Sequence, residues 1–406
     1  MGLAHGSSCR PGEGSVARAA RRRRLHSTSI TIRHSRTRRL LALITLVAAV
    51  FLFAGGCSQH NPNQNVTHVI GLQHQPSPKI VVVHPLPGRF TFRIHMFSIT
   101  NQDDPIEDIA PDKYGGTWLA LGSRLVHIQT DSHITNVFLP DRSKQMFSWS
   151  PLCLAVGHDG TIWGAYVYTI SSPITGFFEL PPHGEMSALD YQSTSIEQGA
   201  TASVRPDGSA WFVLPGSERI ALWRPPKPVR YFQLRTGAIL YKTRPDPSGD
   251  LWYQTTDGKF GGINAEGTHL QRDVGFYFPY DFAFGADGAL WLAQARSGHR
   301  FIVKVSNKNS AVQYLLRANK GDVPVTLVRP RSDGLTWFWQ SDNRAGLLSS
   351  AGWYDSVALP KSMQLSTLGL NLAAVSSDKS LWIVGTSSCG CIAHISVEEN
   401  RAQPRS

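Results

Sequence analysis

The sequence predicts an all-β protein, a seven-bladed β-propeller of four-stranded antiparallel blades, preceded by a signal or anchor helix and a disordered tether. Three observations support this fold class. Tryptophan recurs at near-even spacing, each copy stands at the same place in a hairpin motif, and the first and last strands of the array complete one another. Repetition at intervals of 39 to 48 residues is typical of propeller blades.

The first element is a basic leader. The chain has 406 residues and a formal net charge of +11, and residues 1–56 hold ten arginines against one acid, Glu13. The leader therefore carries most of the charge and leaves only +2 for the remainder. Because the folded part has no marked excess of basic residues, no nucleic-acid partner is expected.

An apolar segment, residues 40–57, follows the basic n-region of residues 1–39. Its run from Leu40 to Phe53 would span about 21 Å as a helix, short of a hydrocarbon core of roughly 30 Å, so it fits a signal peptide. The segment ends in Ala-Gly-Gly-Cys57, which resembles the bacterial lipobox. The resemblance implies cleavage before Cys57, lipidation of that residue and a place on the extracytoplasmic side of the cell membrane. An uncleaved signal anchor and ordinary cleavage stay open as alternatives.

Residues 58–88 are predicted to be a flexible tether. They are rich in Asn, Gln, His and Pro, a composition typical of linkers. The strand-like run within them is Ile80–Val83. The propeller is placed at residues 89–398, and residues 399–406 form a polar tail.

The repeated element is a β-hairpin with Asp-Gly, or a related turn, separated from the tryptophan by two residues. Asp-Gly between alternating apolar runs is a strong hairpin signal, because the turn needs a positive φ that glycine adopts at little cost. The last copy departs from the pattern, since Lys379 stands where the other copies have glycine. The tryptophans of the repeat are Trp118, Trp163, Trp211, Trp252, Trp291, Trp337 and Trp382.

Each repeat has room for four short strands, and the two ends of the array complement each other. The last repeat lacks a fourth strand, whereas an extra strand, Phe90–Met96, precedes the first repeat. We expect this strand to pair into the last blade as its outer strand. Such closure joins the two ends and removes an exposed sheet edge.

The repeated tryptophans are predicted to fill the space between adjacent blades. A fixed place in every repeat is explained by packing, and truncating one such residue costs about 3–5 kcal/mol. A carbohydrate-stacking surface is the alternative. Trp149, Trp339 and Trp353 lie outside the repeat position and are the better candidates for it.

The repeat resembles that of the virginiamycin B lyase (streptogramin lyase) family. The nearest copies are residues 205–212, Arg-Pro-Asp-Gly-Ser-Ala-Trp-Phe, and residues 285–292, Gly-Ala-Asp-Gly-Ala-Leu-Trp-Leu. The resemblance implies a seven-bladed propeller over residues 100–395. For the family's lyases it also implies a magnesium ion held by glutamates and a histidine base.

The metal site of that family is not supported by this sequence. The family has an acid three residues after the tryptophan, and magnesium needs oxygen ligands, chiefly carboxylates. No cofactor is therefore expected, and magnesium stays as the alternative. The corresponding residues here are Leu121, Tyr166, Leu214, Thr255, Gln294, Gln340 and Gly385.

Polar side chains collect in the loops on one face of the predicted propeller. Asp281, Tyr280 and His299 are the catalytic candidates, because a carboxylate, a phenol and an imidazole together can act as acid and base. The alternative is that they are solvated loop residues making local turn hydrogen bonds. The ligand-binding candidates on the same face are Glu197, Gln294, Arg300 and Arg344.

Three arginines form a further candidate set. Arg205, Arg244 and Arg329 each precede a proline close to a blade hairpin. Basic residues at a repeated place could ring one face and attract an anion. They could equally solvate a loop.

The cysteines of the folded part are Cys153, Cys389 and Cys391. An odd number in an oxidising compartment leaves one thiol over. A disulfide from Cys153 to one of the other two, a bridge within Cys389-Gly-Cys391, free thiols and a soft-metal site are all open.

The architecture predicts a membrane-tethered propeller that acts as a ligand-binding or protein-interaction module. Seven loops converge on one concave face, which is where propellers build sites. The expected partners are the membrane and an unidentified small molecule, glycan or protein. The alternative function is a divergent streptogramin-lyase-like enzyme without the usual glutamate ligands.

Overall fold

The computed structural model describes a chain built almost entirely of β-strands. Within the described residues the other regular element is a 3-10 turn, Lys361–Met363, and no helix there is long and apolar enough to cross a membrane. The described residues are 79–99, 105–122, 124–138, 150–169, 173–192, 200–213, 219–234, 240–271, 279–296, 299–307, 310–316, 325–340, 342–363, 372–385 and 391–400.

Two strands open the described chain, and four separate blades follow them, each a four-stranded antiparallel sheet. The opening strands are β1 (Lys79–Pro85) and β2 (Phe90–Ser98). Blade one consists of β3 (Ile106–Pro111), β4 (Thr117–Leu121), β5 (Arg124–Ile128) and β6 (Ile134–Phe138). Blade two consists of β7 (Ser150–Val156), β8 (Ile162–Thr169), β9 (Pro173–Leu180) and β10 (Ser187–Gln192). Blade three consists of β11 (Thr201–Val204), β12 (Ala210–Val213), β13 (Arg219–Trp223) and β14 (Arg230–Gln233). Blade four consists of β15 (Leu240–Pro245), β16 (Leu251–Thr255), β17 (Phe260–Ile263) and β18 (His269–Gln271).

The next eight strands join with β1 in one nine-stranded sheet, called here the double sheet. One half consists of β19 (Asp281–Phe284), β20 (Leu290–Arg296), β21 (His299–Val305) and β22 (Ala311–Leu316). The other half consists of β23 (Val325–Pro330), β24 (Leu335–Gln340), β25 (Arg344–Ser349) and β26 (Trp353–Ala358). β1 runs parallel to both outer strands, with Lys79–Val83 opposite Val312–Leu316 and His84 opposite Trp353. Each half is thus a four-stranded antiparallel blade, and β1 joins the two halves along their outer edges.

The closing blade takes strands from both ends of the described chain. Its order is β2, β29 (Cys391–Glu399), β28 (Leu381–Val384) and β27 (Ala373–Val375). All nine residues of β2 pair antiparallel with β29, from Phe90 opposite Glu399 to Ser98 opposite Cys391. The predicted closure by an N-terminal outer strand is confirmed.

The structure confirms the all-β propeller of four-stranded antiparallel blades and corrects two details. Seven separate blades were expected, but five stand as separate sheets, because β1 merges the remaining eight strands into the double sheet. The predicted flexible tether, residues 58–88, is wrong from Lys79 to Pro85, which form β1. Val83 is fully buried in the core of the double sheet. The apolar run therefore forms a strand because it gains hydrophobic burial, which a solvated tether would not give it.

Among the described hydrogen bonds, three repeated tryptophans, Trp211, Trp337 and Trp382, link neighbouring blades as predicted, whereas Trp252 donates to Asp246 of its own blade. Trp337 and Trp382 are fully buried. The indole Nε1 of Trp337 donates to the backbone oxygen of Lys379 at 3.0 Å, and that of Trp382 donates to the backbone oxygen of Gly115 at 3.0 Å. Each of these two tryptophans thus packs in the core and satisfies its polar atom on the hairpin of the next blade. The second bond ties the closing blade to blade one.

The hairpin turns show why the last copy of the repeat is unusual. Gly208 has a φ of 79°, a left-handed conformation that glycine adopts without strain. Lys379 occupies the same place in the closing blade with a φ of 69°. A residue with a Cβ is disfavoured there by about 1–2 kcal/mol, so this turn is held by its surroundings.

Candidate functional site

The first strands of successive blades lie side by side around the centre of the molecule. β3 contacts β7, β7 contacts β11, β11 contacts β15, β15 contacts β19, β19 contacts β23, and β27 contacts β3. Arg329 on β23 donates from Nε to the backbone oxygen of Ala373 on β27 at 3.3 Å. These strands all begin on one face, called here the mouth. They end on the opposite face, called here the hairpin face.

The repeat register places charged residues at two repeated positions near the mouth. Asp108, Lys242 and Asp281 each stand ten residues before the tryptophan of their repeat, and Arg244 and Arg329 stand eight before it. Positions two apart in a strand point to the same side, so the two sets face the same way and differ in depth by about 6.6 Å along the strand. The strand pairing shifts register directly before Asp108 and Lys242, and such bulges re-aim side chains at the end of a strand.

Three cations from two strands, β15 and β23, converge on one carboxylate of β19. This group, called here the cation cluster, consists of Lys242, Arg244 and Arg329 around Asp281. Lys242 Nζ lies 3.6 Å and Arg244 Nη2 lies 3.7 Å from Asp281 Oδ1, while Arg329 Nη1 donates to Asp281 Oδ2. Asp281 Oδ2 also accepts the backbone N–H of Val328 at 3.1 Å. Blade four and both halves of the double sheet therefore meet at one buried carboxylate.

The cation cluster is deeply buried, which makes its electrostatics strong. Asp281 is 1% exposed, Lys242 5% and Arg329 9%, whereas the Arg244 side chain is 19% exposed and reaches solvent. Burial alone would raise the pKa of Asp281, but Arg329, Lys242 and Arg244 outweigh it and hold that pKa below its ordinary value. Burial lowers the pKa of Lys242 to about 8, although Asp281 acts in the opposite direction. Burial and the charge of Arg329 lower the pKa of Arg244 to about 10.

A second buried carboxylate, Asp108, faces Arg244 from blade one. Its Oδ1 accepts the backbone N–H of Ile109 at 2.8 Å, and its Oδ2 accepts that of Leu154 at 2.8 Å. Burial raises the pKa of Asp108 to about 7, and the opposing effects of these hydrogen bonds and of Arg244 are smaller. Asp108 and Asp281 hold the same repeat position but have opposite pKa shifts, because three cations adjoin only Asp281.

Two buried acceptor atoms in this region have no hydrogen-bond partner among the described residues. Asp281 Oδ1 is buried and accepts no hydrogen bond, since its two neighbouring cations lie beyond bonding distance. Gln254 Oε1 is also buried and accepts none, while its Nε2 donates to the backbone oxygen of Pro279 at 3.2 Å. A buried polar atom without a partner is costly and calls for an explanation, such as a bound donor.

Two of the three predicted catalytic candidates, Asp281 and Tyr280, have side chains that the structure describes. Asp281 belongs to the cation cluster, and its pKa is lowered, so it is not suited to the proposed role of acid. Tyr280 contributes its backbone oxygen, which accepts from Lys242 Nζ, while its side chain is 38% exposed. The backbone of His299 pairs with Arg296 in the hairpin of β20 and β21. The His299 side chain lies outside the described part of the structure.

The predicted ligand-binding residues are dispersed. Gln294 is buried near the end of β20. Arg344 donates from Nη2 to the backbone oxygen of Ser356 at 3.0 Å, so it ties β25 to the outer strand β26. Arg300 lies in β21 with its side chain outside the described part, and Glu197 lies outside the described residues altogether.

The arginine set divides between two places. Arg244 and Arg329 meet in the cation cluster, as the repeated position suggested. Arg205 instead donates to the Asp207 carboxylate at 3.0 Å and lies over the ring of Trp211 at the hairpin. The difference follows from register, since Arg205 is two residues closer to its tryptophan than the other two are.

The cysteines do not form the predicted bridge through Cys153. Cys153 is a free, fully buried thiol, so a disulfide from Cys153 is wrong. Burial raises the pKa of this thiol, which keeps it protonated and unsuited to bind a soft metal. Cys391 is disulfide-bonded, and its partner lies outside the described residues. The disulfide candidate Cys389 and the lipidation candidate Cys57 also lie outside them.

The magnesium site implied by the family resemblance does not fit this mouth. In the part of the chain that the structure describes, no group of three or more His, Cys, Asp or Glu side chains is placed to hold a metal. The side chains that converge are three cations and one carboxylate, and cations repel a divalent metal ion. We therefore derive no chemistry through magnesium.

A groove of about 1030 Å³ lies elsewhere, on the outside between blades three and four. Tyr231, Phe232, Tyr253, Phe260 and Leu270 are among its lining residues. Its lining residues show no convergence of buried charge comparable to that of the cation cluster. We place the candidate functional site at the mouth. Burying charged side chains costs free energy, and strongly perturbed titratable groups occur more often at functional sites than elsewhere.

Comparisons with known proteins support the fold. No family model matches the chain, and no curated protein matches its sequence. Virginiamycin B lyase from Staphylococcus aureus is similar in structure, with a TM-score of 0.56, 17% identity, and coverage of 75% of this chain and 99% of that one. A streptogramin B lyase structure gives a TM-score of 0.57 at 15% identity, covering 76% and 98%. YCF48 bound to D1 peptide gives 0.55 at 12% identity, covering 79% and 100%. At these identities the likeness shows the propeller fold alone.

Proposed function

We propose that this protein is a membrane-tethered propeller, on the extracytoplasmic side, that binds a small polar ligand at its mouth. The single observation that carries the binding function is the convergence of Lys242, Arg244 and Arg329 on Asp281. The lipobox resemblance at Cys57 supports the tether and the location. A peptide complex among the fold neighbours supports binding as a use of this architecture.

The cation cluster contributes little to the stability of the fold, and this favours a functional role for it. Buried ion pairs rarely stabilise a fold more than apolar residues of the same volume, because desolvation offsets their attraction. Burial is the main cause that lowers the pKa values of Lys242 and Arg244, and repulsion from the neighbouring arginines lowers both values further. Strongly perturbed titratable groups cluster at functional sites more often than elsewhere.

We further propose that the ring has seven equal sectors, with the double sheet counted as two of them. The seven repeated tryptophans and the four-stranded halves of the double sheet support this count. Trp211, Trp337 and Trp382 each donate to the hairpin of the next sector, so the same contact recurs at three of the boundaries between sectors.

A lyase of the streptogramin type is not favoured as a second function. Its metal would have to lie among the cations of the mouth, and the fold likeness by itself assigns no activity. Ring opening of a streptogramin B lactone by the purified protein in the presence of magnesium would revive that alternative.

Binding at the mouth is tested with a thermal-shift screen of small polar molecules and cell-wall glycan fragments on the purified full-length protein. Hits are repeated on Arg244→Gln and on the control Arg230→Gln, which alters an exposed arginine on β14. We expect hits whose shift disappears in Arg244→Gln and persists in Arg230→Gln. A screen without such hits contradicts the proposed function.

A further inference from the structure

We propose that the cation cluster binds an oxyanion that still carries a proton, namely hydrogen phosphate or a singly protonated phosphate monoester. The proposal rests on the binding function proposed above and names the chemical class of its ligand. Two independent features lead to it: the cations around Asp281, and the acceptor atom of Asp281 that has no hydrogen-bond partner.

The cations define an anion site with mixed geometry. Arg244 has the most exposed side chain of the three, and its Nη1 donates to the backbone oxygen of Thr243 at 3.2 Å. A planar guanidinium is the side-chain group that matches the geometry of phosphate oxygens. Lys242 supplies a compact ammonium beside it, since both lie within 3.7 Å of the same oxygen, Asp281 Oδ1. Arg329 is held by Asp281 and by the backbone oxygens of Val328 and Ala373, so it adds charge without having to move.

The acceptor atom decides between kinds of anion. Asp281 is ionised, because its pKa is held below the ordinary value, so Oδ1 can only accept a hydrogen bond. An anion drawn to Arg244 and Lys242 comes close to Oδ1 and is repelled by it, unless it brings an O–H. Hydrogen phosphate has such a proton at neutral pH, whereas sulfate and acetate do not. The site therefore selects by the proton and not by charge alone.

Isothermal titration calorimetry on the purified full-length protein at pH 7.0 tests the selection. The probes are sodium phosphate, sulfate and acetate at matched ionic strength. We expect phosphate to bind at least tenfold more tightly than sulfate or acetate. In Arg244→Gln the phosphate affinity falls at least tenfold, whereas Arg230→Gln binds as the unaltered protein does. Sulfate binding as tight as phosphate, or an unchanged affinity in Arg244→Gln, overturns the proposal.

The source of the phosphate is read from a second pair of titrations with glycerol phosphate. A phosphate monoester loses its last proton with a pKa of about 6, so it keeps the O–H only in acid solution. Tighter binding of the ester than of inorganic phosphate at pH 5.5, lost by pH 7.5, identifies an ester as the ligand. The reverse order identifies the free ion. If other molecules shift the melting temperature through Arg244 but phosphate does not bind, the phosphate proposal fails and the binding function stands.

Discussion

Replacing Asp281 by asparagine removes the carboxylate that lies within 4 Å of all three cations of the cluster. Lys242, Arg244 and Arg329 then face a neutral amide at a site that is 1% exposed. Removing one partner of a buried ion pair costs about 3–5 kcal/mol, because the remaining charge is buried without compensation. We expect Asp281→Asn to lower the free energy of unfolding by that amount at pH 7.

Asp108→Asn is the matched control, since Asp108 holds the same repeat position in blade one. Its pKa of about 7 means that half of the molecules already carry a neutral carboxyl at pH 7, so the loss of charge matters little. What the substitution removes is one of two acceptors for the N–H groups of Ile109 and Leu154, worth about 1–2 kcal/mol.

Urea unfolding followed by tryptophan fluorescence measures both variants. We expect Asp281→Asn to cost at least about 1.5 kcal/mol more than Asp108→Asn, which is about tenfold in the unfolding equilibrium. Equal costs for the two variants would refute the reasoning, because they would show that the cations add nothing at Asp281. Added phosphate should return part of the loss in Asp281→Asn only if the cluster still binds an anion.

Three further predictions concern single residues. Lys379→Gly should raise the free energy of unfolding by about 0.5–1 kcal/mol in urea, because glycine adopts the left-handed turn without strain; a loss of stability would contradict this. The pKa of Lys242 lies at about 8 in the folded protein, against an ordinary value of 10.5. Between these two pH values the unfolded chain binds more protons than the folded one. The free energy of unfolding should therefore rise with pH across that window, by up to roughly 3 kcal/mol. In Lys242→Met, where Asp281, Arg244 and Arg329 remain, that rise should vanish from the pH series of urea midpoints; its persistence would assign it to other groups. Cys153 should resist thiol reagents in the native protein and react only on unfolding, as peptide mass spectrometry after alkylation would show; rapid native labelling would contradict its burial.

The sequence was sufficient to predict the blade and its closure, because both follow from local rules. Asp-Gly turns need a positive φ, and the structure has it at Gly208. An unpaired strand at one end of a repeat array needs a partner at the other, and β2 finds β29. The role of β1 was not predictable in this way. Parallel pairing to the outside of two sheets leaves no alternation or turn signal in the chain.

The site could be predicted only in part, because its members come from distant repeats. Asp281 was identified within its own repeat, where Tyr280 and His299 are its neighbours in sequence. Its partners in space are Lys242 and Arg329, which lie about one repeat before and one after it. Aligning the repeats on their tryptophans would have found them, since the charged residues fall ten and eight positions before it.

The direction of β1 has a mechanical consequence. β1 runs parallel to β22, from the hairpin face towards the mouth, so Lys79 lies at the end of the domain remote from the cation cluster. Tension on the chain upstream of Lys79 acts along the strand, and the pairs from Lys79 to Val83 are loaded together in shear instead of opening one after another. A load applied at Lys79 would thus be spread over both halves of the double sheet.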